Sequence, residues 1–231
     1  VRHAVACNSA TSGLLMACMA AGVGPDSEVV TTPFTMSATA AAPAFLGAKI
    51  YFNDIEEKTF CLNHHPSNFT KNIDAIITAN IFGHPDLLRN RRACCDTETA
   101  NKERGRPLFL IEDNAQASFA MEYGSYAGTI GHIGVFSFNV HKHLQCGEGG
   151  ICVTQDDALA DKLRLSRNHS ELAGGTVGLN LRMTEVTAAI ALAQLAKREQ
   201  IISERIEIAE TLTDMVKGLP GLTPPVVREG C

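Results

Sequence analysis

Short apolar runs exchange with longer amphipathic or alanine-rich stretches along most of the chain, the pattern of strands alternating with helices. Ala4 to Cys7 is an apolar run ending in Asn8-Ser9, and Leu14 to Ala21 continues as a helical stretch closed by Gly22 and Gly24. The chain therefore opens as strand, turn and helix. Val29 to Thr31 reads as a second strand, Met36 to Leu46 as an alanine-rich helix, and Ala48 to Phe52 as a third strand ending at Asn53-Asp54. Ile73 to Ala79 and Leu108 to Ile111 have the continuous apolar character of buried strands, separated by a polar helical segment from Asp86 to Arg104. Gly134 to Phe138 and Gly150 to Thr154 form a later strand pair. Beyond Gln155 the pattern turns helical. Asp156 to Arg167 opens with two aspartates, and Thr184 to Val216 is a long helix or two in tandem, capped by Thr184 with Glu185 in its first turn and stopped by Pro220, Pro224 and Pro225.

This alternation predicts an α/β fold with a mostly parallel central sheet flanked by helices, and such sheets place ligands at the carboxyl ends of their strands. The 231 residues, 45% of them hydrophobic, suffice for one substantial core and are read as a single folding unit. Asn90 to Arg106, charged and carrying adjacent Cys94 and Cys95, is expected to be a solvated helix or loop.

Composition then removes several classes of function. The 20 Lys and Arg are scattered and the net charge is −5, so no electrostatic footprint for nucleic acid is present. The eight cysteines follow no repeated spacing and read as reduced thiols. No Cys-x-x-Cys pair occurs, and His64-His65 stands beside Pro66 in a polar stretch, so no metal is expected. The apolar run from Ala38 to Phe45 is too short to span a bilayer, and no leader pattern opens the chain. A cytoplasmic protein without a membrane partner is the expectation.

Three segments carry residues suited to chemistry. Asn8-Ser9-Ala10-Thr11-Ser12-Gly13 offers hydroxyls between a strand and a helix, where free amides suit a phosphate dianion and an ordinary N-cap is the competing reading. Leu110-Ile111-Glu112-Asp113-Asn114-Ala115-Gln116 runs an apolar strand into two carboxylates. An acid there can pair with a protonated ring nitrogen, or simply start a helix or ligate a metal; alternation points Glu112 and Asp113 to opposite faces, and Asp113 is preferred. In Phe136-Ser137-Phe138-Asn139-Val140-His141-Lys142-His143-Leu144, followed by Gly147-Glu148-Gly149-Gly150, a lysine lies between an aromatic strand and a glycine turn. Partly desolvated, it serves as an amine nucleophile; a solvated surface lysine is the alternative.

In this order the three segments resemble the fold type I pyridoxal-phosphate enzymes, specifically the nucleotide-sugar aminotransferase family of DegT/StrS type. The likeness extends through His3-Ala4-Val5-Ala6, Gly22-Val23-Gly24-Pro25, Pro33-Phe34-Thr35, Asn80-Ile81-Phe82-Gly83-His84-Pro85, Gly131-His132-Ile133-Gly134-Val135, Arg167-Asn168-His169 and Gly178-Leu179-Asn180-Leu181-Arg182-Met183-Thr184-Glu185. The resemblance implies an aspartate aminotransferase-like large domain binding pyridoxal 5'-phosphate. Thr11, Ser12 and Ser137 would bind its phosphate, Asp113 would pair with the pyridine nitrogen, and Gln116 would lie near the phenolic oxygen. Lys142 aligns with the Schiff-base lysine, and Asn139 and His141 flank it as further candidates for substrate contact. Asn180 and Arg182 fall in the segment that approaches the neighbouring subunit's cofactor phosphate, so a homodimer with shared sites is implied. The reaction implied moves an amino group from an amino acid donor, glutamate or glutamine, to a keto group of a nucleotide-linked deoxysugar.

Two features depart from the family pattern. Met36 stands where an aromatic residue usually stacks on the pyridine ring, replacing a flat platform by a polarisable thioether. The chain also begins at the strand before the phosphate turn and stops after the long helix, so residues 1–231 are expected to be the cofactor-binding large domain without the family's N-terminal arm and C-terminal small domain. Rival readings are a sugar 3-dehydratase of the same fold, in which a histidine replaces the lysine, and a non-catalytic regulatory or binding relative. Lys142 argues against the first, since His143 lies one position beyond the expected site. Retention of Asp113, Gln116, Ser137 and Lys142 argues against the second.

Overall fold

Strands of alternating face organise the molecule, whose computed structural model describes residues 1–63, 73–100, 105–171 and 177–231. Along the chain the strands are β1 (His3–Cys7), β2 (Glu28–Thr31), β3 (Lys49–Phe52), β4 (Ile73–Ala79), β5 (Phe109–Asp113), the short hairpin β6 (Met121–Glu122) and β7 (Ser125–Tyr126), then β8 (Ile133–Ser137) and β9 (Gly150–Thr154). Seven of them form one sheet in the order β1-β9-β8-β5-β4-β2-β3. Strand β9 is antiparallel to both neighbours and every other pairing is parallel, as the mostly parallel expectation required. The carboxyl ends of six strands and the amino end of β9 therefore meet at one edge.

The helices are α1 (Ala10–Ala20), α2 (Ala38–Phe45), α3 (Leu88–Ala100), α4 (Asp157–Arg167), α5 (Glu185–Leu195) and α6 (Arg198–Val216). Because side chains alternate along a strand, neighbouring residues feed two different cores. Val29, Ile77 and Ile111 join Leu14 of α1, Ala42 of α2 and Leu163 of α4 on one face. Val30, Ile76 and Leu110 join Cys95 of α3 on the other. Each such aliphatic side chain taken wholly out of water contributes about 1.5–3 kcal/mol before the entropy of ordering is set against it. Helix α1 lies so close to the sheet that a Cβ at Gly13 would fall 2.7 Å from Val135 Cγ1, which is why that turn needs glycine.

Strands β4 and β9 begin and end where the pattern placed them; several other boundaries moved for local reasons. Helix α1 starts at Ala10 instead of Leu14 because Ser9 caps it, its Oγ accepting the Ser12 amide at 3.1 Å. Thr11 and Ser12 thus belong to the first helical turn. Helix α2 starts at Ala38, leaving Met36 in the turn before it, where its carbonyl accepts the Thr39 amide. Strand β5 runs two residues beyond Ile111 and carries both carboxylates within it. The tandem alternative holds at the chain's end, where Ala196 and Lys197 separate α5 from α6.

The segment 90–106, expected to be a solvated helix or loop, is a helix up to Ala100 with one face exposed, but its other face is buried. Arg91 is fully buried, its Nη2 donating to Asp86 Oδ1 at 2.7 Å and its Nε to the Asp86 carbonyl at 2.9 Å, and Cys95 lies in the core. A charge pattern read by composition cannot reveal that one arginine is neutralised inside by a carboxylate five residues earlier. Residues 101–104 of that segment and the His64-His65 pair lie outside the described residues. All eight cysteines are unpaired.

Candidate active site

At the carboxyl edge the two acids at the end of β5 part company. Glu112 points to the face of Leu110, where its Oε2 accepts the Gly128 amide at 2.6 Å and its Oε1 accepts those of Ile130, at 3.0 Å, and Gly131. Burial pushes this carboxyl up to about 7 against the pull of those three amides. It pins a loop and faces no opening. Asp113 points to the opposite face, buried to 6% exposure, where Oδ2 accepts the Thr39 hydroxyl at 2.7 Å and Oδ1 the Ala115 amide at 3.1 Å. Its carboxyl is raised by burial, while Thr39, Ala115 and the charge of Lys142 favour its ionised form.

Lys142 comes from the excursion between β8 and β9. Cross-strand bonds from Phe138 N to Gly149 O (2.8 Å) and Val140 N to Gly147 O (2.9 Å) hold the base of that excursion, and Lys142 N donates to Asn139 O at 2.9 Å at its tip. Asn139 braces it further, its Nδ2 donating to Glu148 Oε1 at 2.7 Å and its Oδ1 accepting the His141 amide at 3.1 Å. Those bonds occupy the Asn139 side chain in the loop itself. The half-buried Lys142 shares a pocket with Asp113, Thr35, Met36, Asn80 and Gln116. Gln116 reaches it with its Oε1 already accepting the Phe82 amide at 2.8 Å, so its nitrogen is the donor left for a ligand. Met36 is 72% exposed on the pocket's rim.

A second cluster forms where β1, β9 and β8 end together. Ser137 pairs in register with Gly150, and Gly150 with Cys7. A Cβ on Gly150 would lie 2.6 Å from the Ser9 carbonyl carbon, so only glycine lets the amino terminus of α1 settle here. The first intrahelical bond is Gly13 N to Ser9 O, at 3.0 Å; the amides of Ala10 and Thr11 precede it and face outward beside the Ser9 and Ser12 hydroxyls. Ser137 is buried and its Oγ accepts the Asn139 amide at 3.3 Å. Asn180 and Arg182 reach the same end because Asn8 N donates to Leu181 O at 2.9 Å.

Four of the residues singled out from sequence, Met36, Asp113, Gln116 and Lys142, thus line one pocket, while Thr11, Ser12, Ser137, Asn180 and Arg182 stand at the adjoining strand ends outside its lining. Sequence reasoning missed Thr39, the hydroxyl that orients Asp113, and Asn80, whose Nδ2 donates to Asn114 Oδ1 at 2.6 Å beneath the pocket. The Thr35–Thr39 spacing was an available signal, since four residues bring two hydroxyls together at the start of a helix, here 2.9 Å apart. Among the described residues no group of three or more His, Cys, Asp or Glu could hold a metal, and no helix is long and apolar enough to cross a membrane.

A parallel sheet with a lysine and a buried aspartate at its carboxyl edge has the architecture of fold type I pyridoxal-phosphate-dependent aminotransferases, the class of its structural neighbours. The chain belongs to the DegT/DnrJ/EryC1/StrS aminotransferase family, whose model matches residues 1–230. It is 32% identical to the spore coat polysaccharide biosynthesis protein SpsC of Bacillus subtilis, over 99% of this chain and 61% of the relative. GDP-perosamine synthase of Escherichia coli O157:H7 is likewise 32% identical, with 95% of this chain and 60% of the relative covered. The crystal structure of DesV from S. venezuelae in complex with a ketimine intermediate superposes with a TM-score of 0.90 at 30% identity, covering all of this chain and 62% of that one. The chain spans about three fifths of the length of the curated relatives it matches.

Proposed function

We propose that residues 1–231 are the cofactor-binding large domain of a pyridoxal-phosphate-dependent aminotransferase that delivers an amino group to a keto sugar linked to a nucleotide. The observation that carries this reading is the shared pocket of Lys142 and the buried Asp113. A buried carboxyl oriented by one hydroxyl and one amide, with a lysine across the same pocket, suits a protonated pyridine nitrogen. Pyridoxal phosphate, when bound, supplies an electron sink for charge developing at an amino acid's α-carbon.

The chain's own residues then have distinct tasks. Thr39 and Ala115 fix the Asp113 carboxylate, so that its charge holds a proton on the ring nitrogen. The Lys142 Nζ would hold the cofactor's aldehyde carbon and, as a free amine, would accept the proton from an amino donor's α-carbon and hold it for return. Met36 would lie against the ring's face, and the Gln116 nitrogen, free of the Phe82 bond, would be the donor for its phenolic oxygen. Thr11, Ser12, Ser137 and the outward amides of α1 receive the phosphate. Asn180 and Arg182 serve the phosphate in a second copy, making the working unit a homodimer with shared sites. Glutamate or glutamine is the amino donor, and eight unpaired cysteines suit the reducing cytoplasm.

The test is an absorbance spectrum of the protein with pyridoxal phosphate, before and after borohydride, beside Lys142→Ala. A visible band that borohydride converts to a stable adduct on Lys142, lacking in the variant, is the expected result. A band of equal strength in Lys142→Ala would overturn the reading.

A further inference from the structure

Segment 177–182 is built onto the end of α4 and the outer edge of β1 by a run of main-chain bonds. Leu179 N donates to Ser166 O at 2.9 Å, His169 N to Leu179 O at 3.2 Å, and Leu181 N to Arg167 O at 3.0 Å. The Leu181 side chain packs on the core, and Arg182 Nη1 donates to Asn168 Oδ1. Gly178 passes so near that a Cβ there would fall 2.4 Å from Ser170 N. His169 and Ser170, with φ of 56° and 54°, are consecutive non-glycine residues in the left-handed region, a strain that persists only where surrounding contacts impose it.

Arg167 stands at the centre of this arrangement. Strand β1 is at the sheet's edge, and two of the main-chain groups on its outer side are the Ala6 carbonyl and, just beyond the strand, the Asn8 amide. Arg167 Nη1 takes the first at 3.2 Å; Leu181, itself held by the Arg167 carbonyl, takes the second at 2.9 Å. The same residue therefore covers the carboxyl end of β1's open edge, seats the segment that carries Asn180 and Arg182, and brings a guanidinium beside Cys7, where the strand runs into the turn that opens α1. Its Nε is buried with no hydrogen-bond partner among the described residues, so the charge is not neutralised by a carboxylate there.

We infer that Arg167 is a positioning residue for the phosphate end of the site: it locks the Asn8–Ser12 turn and the Asn180–Arg182 segment into one unit and adds positive charge beneath a dianion. Since the turn serves its own protomer's cofactor and the segment the partner's, each Arg167 couples the phosphate ends of the two neighbouring sites. This rests on reading the pocket as a pyridoxal-phosphate site.

The discriminating pair of ligands is pyridoxal phosphate and pyridoxal, which share the aldehyde and ring and differ in the phosphate. Both are titrated by absorbance into the wild-type protein, Arg167→Ala, Arg167→Lys and Arg167→Gln, with melting temperatures taken without ligand. Arg167→Ala is expected to lose about tenfold or more in affinity for pyridoxal phosphate and none for pyridoxal. Arg167→Lys, which keeps the charge, recovers part of that loss; Arg167→Gln, which keeps a donor for Ala6 alone, recovers less. Should Arg167→Ala not fold, the Lys and Gln variants decide by the same ratio. Equal losses for both ligands, or no loss for either, overturn the inference. A wild-type protein that does not prefer the phosphorylated ligand overturns the pocket assignment itself, a separate outcome read before any variant.

Discussion

The two faces of strand β5 treat a buried carboxylate in opposite ways. On one side Glu112 receives amides from Gly128, Ile130 and Gly131, all from one loop. On the other, Asp113 receives one hydroxyl and one amide and looks into a pocket shared with a lysine. Burial alone does not mark a functional acid. What separates them is whether the carboxylate's oxygens are taken up by the main chain of a neighbouring loop, as in a structural brace, or are left with room for a cationic ligand.

The sharpest break of this comparison is Asp113→Asn, expected to lower the transamination rate by about a hundredfold to a thousandfold while changing stability by less than about 1 kcal/mol. Steady-state kinetics beside urea unfolding would check it, and a stability loss as large as the rate loss would mean that both faces are structural. Glu112 should show the reverse. Its carboxyl lies at about 7 in the folded protein against an ordinary 4.5, so the folded state binds this proton more tightly than the unfolded chain. The resulting stability is fully present below pH 4.5 and lost as pH rises through about 7, roughly 3 kcal/mol in all. Unfolding free energies across that range should fall in the wild type and lack this component in Glu112→Gln.

Thr39→Val sharpens the contrast at smaller scale. Removing a donor to the Asp113 carboxylate raises its protonation pH, so the acid limb of the rate profile should move upward, with about a tenfold loss of rate below it. An unmoved limb would mean that Thr39 does not orient the acid. Across the same pocket, Met36→Phe is expected to tighten pyridoxal phosphate by about threefold to tenfold, the gain of a ring face over a thioether, measured by titration. Unchanged affinity would place Met36 off the ring.

Periodicity was enough for the order of the seven strands of the main sheet and of helices α1 to α4, because apolar runs of two kinds are forced by which faces are buried, but it did not reveal the two-residue strands β6 and β7. At α3 it found the helix but not its buried face, where Arg91 and Asp86 neutralise each other inside the protein, 2.7 Å apart; a charged helix reads as solvated until its partner is located. Asp113 and Lys142 were legible as residue types in their segments, Gln116 and Met36 only through the family resemblance. Thr39 was not, since its role depends on a contact with Asp113, 74 positions away.

By itself the sequence determined the α/β class, the parallel character of the sheet and the identity of the chemical groups, for these follow from local pattern and from residue type. Which of two adjacent acids faces the pocket, which arginine is buried and which segment closes the edge of β1 were decided only by tertiary structure. Alternation tells that neighbours on a strand point apart; it does not tell which side a helix will cover and which will stay open, and that choice is made by packing between parts of the chain far apart in sequence.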